Sequence, residues 1–142
     1  MGGLFSRYLE EYVEVGDSIL CEGPVGKLKY LGYGRFTYLK KELPLKRKLG
    51  LIGGGTGITP LYSIAQASSM ANDGLDMVLL YSNKTSSDIL CNKELNAITE
   101  INFVNYRMYH TLTRHTAGPW NGHIGRVNLE MLKECGFPPP GP

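Results

Sequence analysis

The rhythm of hydrophobic and polar positions changes near Pro44. C-terminal to it, "KLGLIGG", "LDMVLLYSN" and "NYRMYHTL" are short apolar runs bounded by turn residues, the pattern of strands buried on both faces of a parallel sheet. Between them lie two stretches with helical spacing. In "TPLYSIAQASSMAND", Leu61, Ile64, Ala65 and Ser68 share one helical face. Thr59 is expected to cap that helix, with Pro60 in the first helical position, where a missing N–H costs nothing. In "SSDILCNKELNAITE" the expected cap is Ser86 or Ser87, Asp88 favours the positive helix start, and Ile89, Leu90, Leu95 and Ile98 form the buried stripe. Strand, helix, strand, helix, strand argues for an α/β fold, an open parallel sheet of order 3-2-1 with right-handed crossovers.

N-terminal to Pro44 the pattern differs. "SRYLEEYVEVGD" predicts one short helix ending near Val15 and Gly16, and "SILCEGPVGKLKYLGYGRFTYLK" shows short β-prone runs broken by Gly-Pro and repeated Gly. That is hairpin and barrel chemistry without a crossover helix. We therefore place a boundary near Pro44, with residues 1–43 expected as an antiparallel hairpin or barrel piece and residues 44–137 as the open parallel-sheet part. Residues 138–142 fall in "GFPPPGP", a proline-rich tail that cannot continue a helix or a central strand.

A chain of 142 residues with 42% hydrophobic and 20% charged residues suits one globular domain or two pieces of larger ones. The net charge of +2 is too mild for a nucleic-acid surface, and the basic cluster "KKELPLKRK" reads first as a solvated linker. No apolar run approaches the roughly 18 residues of a membrane span, and no signal-peptide pattern opens the chain. Cys21, Cys91 and Cys135 are odd in number, widely spaced and outside any C-x-x-C pair, which points to neither a disulfide framework nor zinc. The expected setting is intracellular and reducing, with the cytoplasm favoured and a mitochondrial or membrane-tethered assembly left open.

The chemistry concentrates in "LGLIGGGTGITPLYSIAQ". A strand ending in glycines and running straight into a helix brings backbone N–H groups and a positive helix end to one point, where anions bind. Glycines at 53, 54, 55 and 57 let a pyrophosphate or a flat ring approach the main chain, and Thr56 and Thr59 add hydroxyls. The turn lacks both G-x-G-x-x-G spacing and a P-loop lysine, so a purely structural tight turn is the competing explanation.

"LIGGGTGITPL" resembles the pyridine-nucleotide turn of the ferredoxin-reductase superfamily, and the likeness extends further. "GGLFSRYL" is similar to a flavin-phosphate segment, and "VGDSILCEGPVGKLKYLGYGRF" to the strands that close a flavin barrel. "LLYSNKTSSDILCNKEL", "VNYRMYHTLTR" and "WNGHIGRVNLEMLKECGFPPP" follow in the order of NADH-cytochrome-b5 reductases and the reductase part of eukaryotic nitrate reductases, with Leu4 leaning toward the latter. The resemblance implies hydride transfer from NADH or NADPH to FAD and single-electron transfer on to a haem protein. It implies that Gly2, Gly3 and Ser6 meet the flavin pyrophosphate. Gly54, Gly55, Thr56 and Gly57 would lie where nicotinamide stacks on flavin, with Thr56 the catalytic candidate touching both, and Thr59 and Pro60 would open the helix beside them. Asn83, Lys84 and Asp88 would lie near the adenosine half. For Ser6, Asn83 and Asp88, turn or helix capping is an equal alternative, and for Lys84 a solvated charge.

Two departures from the family pattern matter. Where an acidic residue commonly accepts the adenosine ribose, this chain has Thr113 followed by Arg114, which should tolerate the extra phosphate of NADPH. The family's Arg-x-Tyr-(Ser/Thr) flavin clamp and its Cys-Gly-Pro-Pro strand are also missing, so FAD binding is in question. The run Leu49 to Ile52 is then expected to be an open sheet edge that a partner, another part of a longer reductase or a different fold must cover. Two functions follow: the nucleotide-binding part of a flavin reductase, or a non-catalytic relative serving as an interaction subunit.

Other chemistry is weaker. His110, His115 and His123 lack metal-ligand spacing, and the last two read as exposed loop residues. Cys91 and Trp120 read as packing.

Overall fold

The computed structural model describes residues 3–23, 25–102 and 104–139. Helix α1 (Leu4–Tyr12) precedes a three-stranded antiparallel sheet, β1 (Leu28–Gly32), β2 (Arg35–Tyr38) and β3 (Lys41–Glu42). A parallel sheet follows, built from β4 (Lys48–Gly54), β5 (Asp76–Asn83), β6 (Tyr106–Leu112) and β7 (His123–Ile124), side by side in that order. The crossovers carry α2 (Ile58–Ala71) and α3 (Asn92–Ile101), and α4 (Leu129–Glu134) follows β7. The expected linear order of three parallel strands is present. The short β7 and α4 were not anticipated, because two residues of strand carry no periodicity.

The register explains why β5 reads as an unbroken apolar run. It lies between β4 and β6, Leu79 opposite Leu51 on one side and Met108 on the other, so both its edges are paired, and both its faces pack against core side chains. Met77, Leu79 and Tyr81 join Leu51, Ile58, Ala65, Leu95 and Ile98 in the larger core under α2 and α3. Val78 and Leu80 point the other way, onto Met131 and Cys135 near α4. Full burial of one such leucine contributes about 1.5–3 kcal/mol.

Helix α2 stops at Asn72, whose left-handed backbone (φ 47°) turns its N–H onto the Ser68 and Ser69 carbonyls. The second helix departs from expectation at its start. Thr85, not Ser86 or Ser87, caps a single 3₁₀ turn, Ser86–Asp88, in a reciprocal capping box with Asp88, and α3 proper begins only after Cys91. Leu95 and Ile98 are buried as expected and Ile89 packs against the core, but Leu90 lies ahead of the helix and is largely exposed. The cause is Cys91, whose left-handed φ of 54° interrupts the spiral. Helix α1 buries none of its side chains. Among the described residues no helix is long and apolar enough to cross a membrane.

Candidate functional site

The carboxyl edge of the parallel sheet gathers most of the candidate residues. Strand β4 ends in Gly53 and Gly54, Gly55–Gly57 forms a single 3₁₀ turn, and α2 starts directly from it. Two glycines here have separable reasons. A Cβ at Gly53 would lie 3.0 Å from the Leu61 methyl, so this position serves helix-on-strand packing. Gly55 adopts φ +50° with nothing within 4 Å of where a Cβ would sit, leaving its backbone open to an approaching group. Gly57 takes the cap position of α2 with no side-chain hydrogen bond. Because the Ile58 N–H already donates to the Gly55 and Thr56 carbonyls and Pro60 has none, the helix start presents an anion chiefly with its positive dipole end.

Thr59 and Pro60 do not cap this helix. Ile58 is the first helical residue, so both sit within the first turn, because the 3₁₀ turn winds straight into α2 and Gly57 already has helical backbone angles. The Thr59 hydroxyl donates back to the Thr56 carbonyl at 3.2 Å, and Pro60 is tolerated because first-turn amides have no intrahelical acceptor. Thr56 itself is exposed, at the centre of the 3₁₀ turn.

The facing wall comes from the ends of β5 and β6. A cleft of about 510 Å³ brings Gly55 and Thr56 together with Asn83, Lys84, Asp88 and Thr113. Asn83 is 5% exposed, and both polar atoms of its carboxamide are buried without a hydrogen-bond partner. An unmet buried amide costs about 1–3 kcal/mol, so its place in the cleft wall offers a ligand one donor and one acceptor. The backbone here is stitched: Thr113 N–H donates to the Asn83 carbonyl at 2.9 Å and Arg114 N–H to the Lys84 carbonyl at 2.8 Å. The Asp88 carboxylate is committed to Thr85, accepting its hydroxyl at 2.7 Å and its N–H at 2.9 Å. Those bonds, aided by the Lys84 and Arg114 charges, hold its carboxyl below the usual range. Asp88 is therefore placed as a cap in the cleft wall, and Lys84 brings a positive charge to the lining, with Arg114 close enough to act on Asp88.

Tyr81, absent from the expected site, joins the two walls. Fully buried on β5, its phenol donates to the Gly55 carbonyl at 2.9 Å and accepts the Leu90 N–H at 3.3 Å. The tyrosine in an otherwise aliphatic strand was the available signal, since a buried phenol needs a partner. Gly3 and Ser6 lie elsewhere, at the start of α1 and exposed, and Gly2 is outside the described residues.

The histidines divide differently from expectation. His123 lies on β7 and is partly buried, its Nδ1 3.5 Å from Glu134 and its Nε2 3.5 Å from the Cys135 thiol. Pairing β7 with β6 draws it out of the loop. His110 stands between Tyr81 and Trp120, and burial pushes its imidazole below the ordinary value. Among the described residues no group of three or more His, Cys, Asp or Glu could hold a metal ion.

A parallel sheet carrying a glycine turn and an uncapped helix start at its carboxyl edge defines a nucleotide-binding α/β domain. Comparison with known proteins makes this specific. Residues 51–139 match the oxidoreductase NAD-binding domain family, and the chain belongs to it. It is 38% identical to NADH-cytochrome b5 reductase 2 of Rattus norvegicus over 99% of this chain and 52% of the relative. It is 34% identical to the NADPH nitrate reductase of Aspergillus niger over 96% of this chain and 16% of that protein. The structure superposes on the cytochrome b5 reductase domain of Ulva prolifera nitrate reductase with a TM-score of 0.83 at 34% identity, covering 94% of this chain and 50% of that one. The fold is ferredoxin-reductase-like. The chain spans about half the length of the cytochrome b5 reductase it matches. All three of these relatives are reductases by name, which gives the interaction-subunit reading no support.

Proposed function

We propose that this chain binds a nicotinamide dinucleotide in the cleft between the Gly55–Gly57 turn and the ends of β5 and β6, as the nucleotide-binding part of a flavin-dependent reductase. The observation that carries this reading is the partnerless Asn83 carboxamide, buried in a cleft wall opposite the open backbone of Gly55. The glycine turn and the positive start of α2, with Gly54, Gly57, Thr59 and Pro60, receive the charged or flat part of the ligand near Thr56. Asn83, Lys84 and Thr113 hold the adenosine side. FAD is assigned to Gly2, Gly3 and Ser6, of which Gly3 leaves the first turn of α1 without a side-chain cap. When bound, the two cofactors supply the hydride chemistry, and this chain's residues bind and orient them. The acceptor of the electrons is a haem protein, in keeping with the names of the relatives. The edge of β4 that faces away from β5, where Ile52 is half exposed, is assigned to a further strand from a partner or from a longer chain.

Thr113 and Arg114 extend the reading to NADPH. At position 113 a hydroxyl stands in place of a carboxylate, and the Lys84 and Arg114 charges offset the Asp88 carboxylate, which is already committed to Thr85. Matched calorimetric titrations with NADH and NADPH test both parts. Saturable binding of both nucleotides within about tenfold of each other is expected, a difference of no more than about 1.4 kcal/mol. Binding of neither removes the nucleotide reading, and a stronger preference for NADH removes the assignment to Thr113 and Arg114. Absorbance of the chain mixed with FAD, before and after NADH, tests the flavin assignment.

A further inference from the structure

At the tip of the β1–β2 hairpin one carboxylate collects four donors from two parts of the molecule. Asp73 follows α2. Its Oδ1 accepts from the Ser68 hydroxyl at 2.6 Å and the Leu75 N–H at 3.1 Å, both in its own segment. Its Oδ2 accepts from the Tyr30 phenol and from the Tyr33 N–H at 2.9 Å, both in the hairpin. One oxygen thus holds the parallel-sheet side and the other the antiparallel side. Burial alone would raise this carboxyl, but the four donors outweigh it and hold it below the usual range.

The surrounding backbone is shaped around this point. Tyr33 takes a left-handed φ of 54°, an uncommon conformation for a tyrosine. Beside it, a Cβ at Gly34 would lie 1.8 Å from the Lys46 carbonyl oxygen, and the Lys46 N–H donates to the Gly34 carbonyl at 2.9 Å. The linker between the two sheets is therefore drawn to the same tip that Asp73 grips. The Tyr30 ring packs on Phe36 at 4.8 Å and against the larger core.

We propose that Asp73 is a positioning residue, whose carboxylate sets the orientation of the antiparallel sheet relative to α2 and hence to the glycine turn at the far end of that helix. The purpose of that orientation rests on the function proposed above, since a hydride donor on one side and its acceptor on the other must meet at close range. The latch itself is testable without either cofactor.

Residual dipolar couplings and amide exchange on the whole chain supply the test. In the wild type, amides of both sheets fit a single alignment tensor. In the double variant Tyr30→Phe with Asp73→Asn, the sheets are expected to fit only separate tensors. Exchange at the Tyr33 and Lys46 amides should rise by about tenfold or more, with the affinity for NADH changed by less than about twofold. Ile98→Val, which loosens the larger core away from the latch, is expected to keep one tensor. If the double variant does not fold, Tyr30→Phe alone, which keeps the ring and loses one donor, is held to the same criteria. A single tensor with unchanged exchange overturns the proposal, as does equal splitting by Ile98→Val or loss of NADH affinity along with the orientation. Failure of the wild type to bind NADH would remove the functional reading and leave the latch standing.

Discussion

The two sheets are held in place by different kinds of force. The parallel sheet packs apolar side chains on both faces, with every residue of β5 from Met77 to Tyr81 buried. The antiparallel sheet buries Phe36, leaves Leu28, Leu31 and Tyr38 exposed, and joins the body through the Tyr30 ring and hydrogen bonds at its tip. Eight of the fifteen basic residues lie between Lys27 and Lys48, with Glu42 the only acid there. Apolar burial thus anchors one region, and the other is tied on largely by polar contacts beside the chain's densest run of positive charge.

Identical truncations should expose that contrast most sharply. Leu79→Ala is expected to cost about 2–5 kcal/mol, whereas Leu31→Ala, at a half-exposed hairpin position, should cost less than about 0.5 kcal/mol, both read from urea unfolding. Equal losses would break the comparison. Next in size, Gly55→Val forces a β-branched residue into the left-handed region at a cost of about 1–3 kcal/mol. Its affinity for NADH should fall by about tenfold or more, measured by calorimetry. Thr113→Asp should weaken NADPH binding by about tenfold, roughly 1.4 kcal/mol, and leave NADH within about twofold. Tyr81→Phe, which removes one bridging phenol, should cost about 1 kcal/mol in the same urea assay.

A pH titration separates the regions by sign. His110 is partly buried on β6 of the parallel sheet, and desolvation puts its folded pKa below the unfolded value of 6.5. The unfolded chain therefore binds the extra proton first, and stability falls as pH drops below about 6.5 toward the folded value. His110→Gln should flatten that limb. Asp73 has its folded pKa below 3.8, so its stabilising contribution persists above that value and is lost only as pH falls further, through the folded pKa. Thermal melts between pH 7 and 3 should show the His110 limb first, and a limb unchanged in His110→Gln would sink this assignment.

The parts legible in the sequence were those with long-range apolar order. Strands β4, β5 and β6 announced themselves because Leu51, Val78 to Tyr81 and Leu112 sit in runs that only a doubly covered sheet explains. Several cleft residues were legible through the glycine turn and the resemblance it carries. What escaped were contacts made by single polar atoms across distant segments. The "NDG" of Asn72 to Gly74 reads as a turn, and nothing local says that Asp73 meets Tyr30, 43 residues earlier. The Tyr81 hydroxyl reaching Gly55, 26 residues back, is hidden in the same way. Thr59 misled because a hydroxyl before proline at a helix start satisfies the capping rule, while the 3₁₀ turn moved the true start two residues earlier, to Ile58.

The order of the parallel strands has a consequence for how the chain assembles. Each strand pairs with the one before it in sequence, β5 on β4, β6 on β5, β7 on β6. No later strand has to be threaded between two already joined, so the sheet can grow outward in the direction of synthesis as each crossover is completed. β4 is then the seed, and growth advances from one of its edges while the other, where Ile52 is half exposed, stays open.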